Sequence, residues 1–289
     1  MIGPHHFCRK TARLAAAVAL LVVGTSSVGA QAPYSWPHTA TETIQSRFPP
    51  PPGYHRVPAP AGSFAEWLRN LPLKPGAPPV HLFDGRLKAN QQAHLAVVDI
   101  DVGDRNLQQC ADAVIRLRAE YLYGTGRPER VCFHFTSGDL ACFSRWAAGE
   151  RPKVTGNRVT WVGGAPRDDS YSSFRRYLDT VFTYAGTYSL RKETAPVRRI
   201  EEAAIGDVFV QGGFPGHAVL IADMAVHEQT GSRVFLLLQS FMPAQEIHVL
   251  RAPRGSGTGA WYRLDFGKKL ITPEWTFGPN DLRRFREQD

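Results

Sequence analysis

Three polar side chains of this sequence, Cys110, His217 and Gln239, are of the types that thiol chemistry requires. A thiol nucleophile needs a base that accepts its proton, and the base needs a third polar group that fixes its orientation and tautomer. His217 opens the apolar run His217–Met224, and Gln239 follows the next apolar run, Val234–Leu238. Adjacent antiparallel strands built from these runs would bring the imidazole and the amide together. The pattern therefore predicts a base and its orienting group.

The predicted position of Cys110 favours a reactive thiol. Apolar residues at helical spacing predict a helix over Leu107–Tyr123, with Asn106 as its N-cap. Cys110 then lies in the first turn, where the partial positive charge of the helix N-terminus stabilises a thiolate and lowers the pKa of the thiol. Gln109 precedes it and offers an amide donor for an oxyanion.

The order of these motifs resembles that of papain-like amidases and peptidases, a group that includes the cell-wall NlpC/P60 and CHAP enzymes. Gln109-Cys110 opens a predicted helix, Gly216-His217 opens a predicted strand, and Gln239 ends the strand after it. The resemblance implies that the cysteine is the nucleophile, the histidine the base and Gln239 its orienting group. It also implies that Gln109 lies near the oxyanion.

A second resemblance covers nearly the whole chain after its N-terminal segment. The stretches Gln108–Tyr121, Gly206–Ala218 and Gln239–Leu250 are similar to those of a secreted bacterial family described as domain of unknown function 4846. This resemblance implies secretion and membership of that family. It brings no established activity with it.

The N-terminal segment has the composition of a cleavable export signal. A basic stretch at residues 9–13 precedes the apolar run Leu14–Val23, which is too short to span a bilayer, and the small residues Val28–Ala30 follow. We expect cleavage before Gln31 and a periplasmic or secreted mature protein. No stable membrane span is expected once the signal, residues 1–30, is removed.

Composition and charge narrow the classes of partner. The formal net charge is +8, but no run of Lys and Arg exceeds two residues and no nucleic-acid-binding signature is present. We therefore expect no nucleic-acid partner. A mildly basic exported domain suits anionic surroundings, and the expected partner is a peptide or cell-wall substrate. No cofactor and no metal ion are expected.

Three cysteines remain after removal of the signal, which is an odd number for an oxidising compartment. At most one intramolecular disulfide can then form. Cys132 and Cys142 are the local pair, and the sequence leaves open whether they are bonded. An unpaired Cys110 is either a buried core thiol or a reactive one.

The order of predicted elements indicates an α+β fold. Helices concentrate before residue 200 and strands follow it. Residues 31–47 are predicted as a linker that leads into a single α+β domain over residues 48–285. The papain-like resemblance implies that N-terminal helices pack on a C-terminal antiparallel sheet.

Other functions stay open at this point. Asp99 and Asp101 share one face of a predicted strand over Ala93–Val102, and with Glu120 they are candidates for a carboxylate-dependent glycan hydrolase. A non-catalytic periplasmic binding or scaffold module of the same fold is a further alternative. A zinc site is the weakest, because the segment Cys132–Cys142 lacks paired Cys-x-x-Cys spacing.

Overall fold

Two compact units make up the chain, residues 1–30 and 31–289. The computed structural model describes residues 1–3 and 34–286, so the predicted export signal and its cleavage site lie outside the described residues. Within those ranges, no helix is both long and apolar enough to cross a membrane. The second unit carries the helices, the strands and the predicted site.

The elements of the second unit confirm an α+β fold. In the described residues its α-helices are α1 (Ile44–Arg47), α2 (Phe64–Arg69), α3 (Cys110–Gly124), α4 (Phe143–Ala147), α5 (Tyr171–Tyr184) and α6 (Thr187–Glu193). Its strands are β1 (Tyr54–Arg56), β2 (His94–Val97), β3 (Cys132–His134), β4 (Leu140–Cys142), β5 (Arg151–Thr155), β6 (Arg158–Val162), β7 (Thr194–Pro196), β8 (Val208–Gln211), β9 (His217–His227), β10 (Arg233–Gln239), β11 (His248–Leu250), β12 (Gly257–Thr258), β13 (Trp261–Arg263), β14 (Leu270–Ile271), β15 (Thr276–Phe277) and β16 (Leu282–Phe285).

A large antiparallel sheet forms the frame of this unit. Its strand order is β12-β13-β10-β9-β8-β16-β7, and β11 connects β10 to β2. β9 pairs with β10 as far as Leu220 opposite Leu238, and β10 also pairs with β11, where Leu238 lies opposite Val249 and Gln239 opposite His248. The β9–β10 ladder therefore ends three residues short of His217.

Both faces of β9 are buried. Ala218 and Leu220 pack in the same apolar cluster as the residues of α3, whereas Val219 and Ile221 pack in a second cluster with Phe277. A strand buried on both faces needs apolar residues on both, and this explains why the run is continuous rather than alternating.

Helix α3 packs on β9 and begins later than the sequence predicted. Its N-cap is Gln109, whose backbone N–H donates to the Asp112 side chain at 3.1 Å. The prediction of Asn106 as N-cap was wrong, because the Asn106 side-chain oxygen accepts the N–H of Ala244 at 2.7 Å. That contact holds the segment before α3 against the loop after β10. Cys110 is consequently the first residue of the helix.

Residues 34–47 belong to the folded unit, whereas the sequence predicted a linker there. Trp36 is buried, and its ring lies 5.8 Å from that of Trp67. The Trp36 indole N–H donates to the carbonyl of Asp99 at 2.7 Å. A buried aromatic side chain with a satisfied polar atom anchors this segment, although proline-rich sequence follows it.

The cysteine pairing that the sequence left open is resolved by a short hairpin. Cys132 and Cys142 lie directly opposite each other on β3 and β4 and form a disulfide. Cys110 is the free cysteine among the described residues.

Candidate active site

Cys110 lines an open cleft of about 300 Å³ although its own exposure is only 6%. The cleft is bounded by the start of α3, by the α5–α6 junction and by the loop over residues 213–216. The backbone N–H groups of Cys110, Ala111 and Ala218 lie close enough to the sulfur to lower the pKa of the thiol. Two of these donors belong to the helix N-terminus and the third to β9. The sulfur thus contacts the strand that begins with His217.

The rim of this cleft is apolar and exposed. Phe214 is 95% exposed, and Tyr188 and Met242 are about half exposed. The loop beneath Phe214 is tightly packed, because a Cβ added at Gly216 would lie 2.4 Å from the hydroxyl oxygen of Thr187. Only glycine fits there, which explains the glycine before His217. Exposed apolar side chains around a cleft are typical of a binding site.

A chain of hydrogen bonds runs from His217 into the protein. The Nε2 atom of His217 lies 2.9 Å from Oε1 of Gln239, and Nε2 of Gln239 donates to Oε2 of Glu274 at 2.7 Å. The other carboxylate oxygen of Glu274 is ion-paired with Lys88. The sequence predicted the contact between His217 and Gln239 but not the last two members. The position of Glu274 between Pro273 and Trp275 was the only local signal of its burial.

This chain determines which imidazole nitrogen is basic. A carboxylate only accepts hydrogen bonds, so Gln239 must present its NH₂ group to Glu274 and its carbonyl oxygen to His217. The Nε2 atom of His217 is therefore the protonated one. Nδ1 keeps its lone pair and is the nitrogen available to take a proton.

The His217 ring packs on the second apolar cluster. Its centroid lies 4.7 Å from that of Phe241, 5.2 Å from that of Trp275 and 5.8 Å from that of Phe277. Cys110 reaches the same strand through the Ala218 N–H. In the described part of the chain no hydrogen bond joins the sulfur to the imidazole. The predicted pair His217–Gln239 is therefore in direct contact, but the His217 ring packs on the second-cluster face of β9, whereas α3 and Cys110 pack on the other face.

The expected lowering of the thiol pKa is wrong for this structure. Burial, followed by the Asp112 carboxylate, raises the pKa of the Cys110 thiol to about 11. The three backbone N–H groups act in the opposite direction but are outweighed. The helix N-terminus alone therefore does not make this thiol acidic, because removal from water disfavours the thiolate more strongly.

Burial also disfavours the charged form of the His217 imidazole. It lowers the pKa of His217 to about 4, although the hydrogen bond that His217 donates to Gln239 raises it somewhat. At neutral pH both groups are uncharged. Moving a proton from the sulfur to the ring in this state costs on the order of 10 kcal/mol.

Gln109, the residue expected near the oxyanion, lines the same cleft. Its side-chain Nε2 donates to Oδ1 of Asn106 at 3.2 Å. The backbone N–H of Gln109 is used by the Asp112 cap. The amide is thus present at the cleft and is oriented by Asn106.

Polar side chains proposed for the alternative sites bond to other groups of the protein. Oδ2 of Asp99 accepts the backbone N–H groups of Thr39 and Ala40 at 3.0 and 3.1 Å. The cysteines of the weak zinc motif form the disulfide, and His134 contacts Glu193 at 2.8 Å. Among the described residues, His, Cys, Asp and Glu side chains form no group of three or more that could hold a metal ion.

The comparisons with known proteins bear on the family alone. No curated protein and no solved structure matches the chain. The family model described as Domain of unknown function (4846) matches residues 44–284, and the chain belongs to that family.

Proposed function

We propose that this protein is an exported, papain-like cysteine hydrolase that cleaves amide bonds in peptide-like substrates, with cell-wall peptides as the expected class. The observation that carries the proposal is the position of the Cys110 sulfur. It lines an open cleft and lies near the backbone N–H of Ala218, the residue that follows a histidine whose basic nitrogen is determined by Gln239. A thiol, a base of defined tautomer and an orienting amide are the parts that this chemistry requires.

The proposed reaction has two steps. The first step requires the His217 ring, which packs on the second cluster, to turn toward the cleft when substrate binds. The Cys110 sulfur then attacks the amide carbon while its proton passes to Nδ1 of His217, and the imidazolium returns that proton to the leaving amine as the C–N bond breaks. Water then attacks the thioester, His217 takes a proton from it, and the C–S bond breaks to release the acid and regenerate the thiol. Gln109 and the backbone N–H of Cys110 are the proposed oxyanion donors.

The raised thiol pKa and the lowered imidazole pKa define how the first step proceeds. A preformed thiolate–imidazolium pair is too costly in the empty cleft. Proton transfer must therefore accompany attack on the carbonyl, as in general-base catalysis. Substrate binding that excludes water and supplies a developing oxyanion would compensate for part of this cost.

The apolar rim favours a substrate with an apolar group next to the scissile amide. Phe214, Tyr188 and Met242 offer contact area for such a group. The disulfide in the β3–β4 hairpin is consistent with an oxidising compartment, which supports export.

The test uses peptidoglycan fragments and a library of blocked peptides, with mass spectrometry of the products. The wild type should cleave amide bonds and the Cys110→Ala variant should not. Asp99→Asn is the matched control, because it alters the alternative carboxylate site and should leave cleavage intact. Cleavage of glycosidic bonds in the peptidoglycan fragments that survives Cys110→Ala but is lost in Asp99→Asn would replace the thiol proposal with the glycan hydrolase.

The neutral resting state favours a second candidate, a binding module that retains the fold without turnover. A thiol whose pKa is about 11 beside an imidazole whose pKa is about 4 is poorly suited to reaction at neutral pH. This candidate predicts that blocked peptides bind equally to the wild type and to Cys110→Ala. It also predicts that neither protein releases a product.

A further inference from the structure

We propose that Glu274 and Lys88 are positioning residues that hold His217 in the tautomer with a basic Nδ1. This inference deepens the proposed hydrolase and rests on it for its catalytic meaning. The tautomer itself is a property of the folded protein and can be measured without turnover.

The relay is continuous and buried. Lys88 contacts Oε1 of Glu274, the second carboxylate oxygen of Glu274 accepts from Gln239, and Gln239 contacts the imidazole. His217 and Gln239 are almost completely buried, and the Lys88 side chain is 5% exposed. Weak solvent screening at such a site strengthens each contact.

The direction of each bond follows from the chemistry of its partner. Lys88 can only donate and the Glu274 carboxylate can only accept, so the ion pair leaves an acceptor facing Gln239. A glutamine amide can rotate by half a turn and exchange its oxygen for its nitrogen at small steric cost. The carboxylate prevents this rotation, since a rotated amide would direct its oxygen at Glu274. Without the carboxylate, Gln239 could present NH₂ to the ring, and Nδ1 would then carry the proton.

His248 does not supply a competing charge. It is the cross-strand partner of Gln239, and the ring of His94 lies 5.9 Å from its own. Burial, with a smaller contribution from the nearby Lys88 charge, lowers the pKa of His248 to about 3. A neutral His248 whose Nδ1 contacts the carbonyl of Glu246 at 2.8 Å leaves the Glu274 carboxylate as the determinant of the amide orientation.

The experiment is NMR of protein labelled with ¹⁵N-histidine, with His217 assigned through the His217→Gln variant. The wild type at neutral pH should show a protonated Nε2 and an unprotonated Nδ1 at His217. Glu274→Gln keeps the size of the side chain but can donate as well as accept, so the two tautomers should become comparably populated. Glu202→Gln, at a solvent-exposed position, is the control and should leave the wild-type tautomer unchanged.

Two results would overturn the inference. One is a wild-type His217 with the proton on Nδ1, and the other is a Glu274→Gln protein that folds and keeps a single Nε2-protonated tautomer. If Glu274→Gln does not fold, Gln239→Leu breaks the link between the carboxylate and the ring, and the two tautomers of His217 should then both be populated. A Cys110→Ala protein should keep the tautomer, so loss of the hydrolase proposal and loss of this inference are separately visible.

Discussion

Two polar clusters share helix α3 and differ in how their groups are satisfied. In the arginine cluster, formed by Asp101, Arg116, Glu120 and Arg175, each carboxylate contacts a guanidinium. Arg116 lies 2.6 Å from Glu120 and 3.2 Å from Asp101, and Arg175 lies 2.8 Å from Asp101. At the thiol cleft, by contrast, Cys110 is uncharged and no counter-charge contacts its sulfur.

The difference separates a structural cluster from a reactive one. Burial raises the pKa of Asp101, but Arg116 and Arg175 outweigh it and hold that pKa below its ordinary value. A carboxylate so paired is a poor general acid, which argues against the glycan hydrolase alternative. The cleft instead has the uncharged Cys110 in its lining, and on the adjoining strand His217 is contacted by the neutral Gln239 rather than by a charge. A nucleophile and a base can react only if they are not held in strong ion pairs.

The largest effect expected from the comparison of the arginine cluster with the thiol cleft is on the free energy of unfolding. Arg116→Met should lower the free energy of unfolding by roughly 3–5 kcal/mol, because fully buried Glu120 would lose its charged partner. Urea unfolding at neutral pH measures it.

The matched control is Arg105→Met, which breaks an exposed pair with Asp179. It should cost less than about 1 kcal/mol. Equal losses in the two variants would remove the distinction between a buried structural cluster and ordinary surface pairs.

The next effect is the acid sensitivity of the His217 side of the cleft. The folded pKa of His217, about 4, lies below its unfolded value, so the unfolded state binds more protons between about pH 4 and 6.5 and stability falls as the pH falls through that window. Between pH 7 and about 4.5 this histidine should contribute about 2.4 kcal/mol to that loss. His217→Gln should reduce the pH dependence of unfolding by that amount, and the exposed-site variant His55→Gln should not. An unchanged pH dependence in His217→Gln would show that the ring is hydrated rather than buried.

The smallest effect concerns the thiol. Asp112 is the second cause of the raised Cys110 pKa, after burial. Asp112→Asn can still accept the N–H of Gln109 but removes the charge, so alkylation of native Cys110 by iodoacetamide at pH 9 should become about tenfold faster for each pKa unit recovered. The assay uses a Cys8→Ser background. Faster alkylation in the parent than in Asp112→Asn would contradict the electrostatic account.

Local patterns were sufficient to predict much of this fold. Ser63 and Ser170 cap α2 and α5, and a serine just ahead of an apolar stripe is a local signal for a helix start. The runs that became β9 and β10 were recognised from apolar content, and their pairing brought His217 to Gln239. These features depend on neighbours in sequence or on two consecutive strands.

The parts that were missed depend on contacts between distant residues. Asn106 does not cap α3, because its side-chain oxygen accepts the N–H of Ala244 in a distant loop. Trp36 is part of the core because its ring packs on that of Trp67. Glu274 and Lys88 join the His217 chain from separate loops, so no spacing rule identifies them. The thiol pKa was predicted with the wrong sign because a helix N-terminus is visible in a sequence, whereas the degree of burial around Cys110 is not.

The central claim, that His217 activates Cys110, is tested most directly by acylation with p-nitrophenyl acetate. Release of p-nitrophenol is followed together with mass-spectrometric mapping of the acetyl group, in the wild type and in His217→Gln. We predict acetylation at Cys110 that is at least about 100-fold slower in the variant, the usual contribution of a general base. Equal rates in the two proteins, or acetylation elsewhere with Cys110 unmodified, would contradict the account.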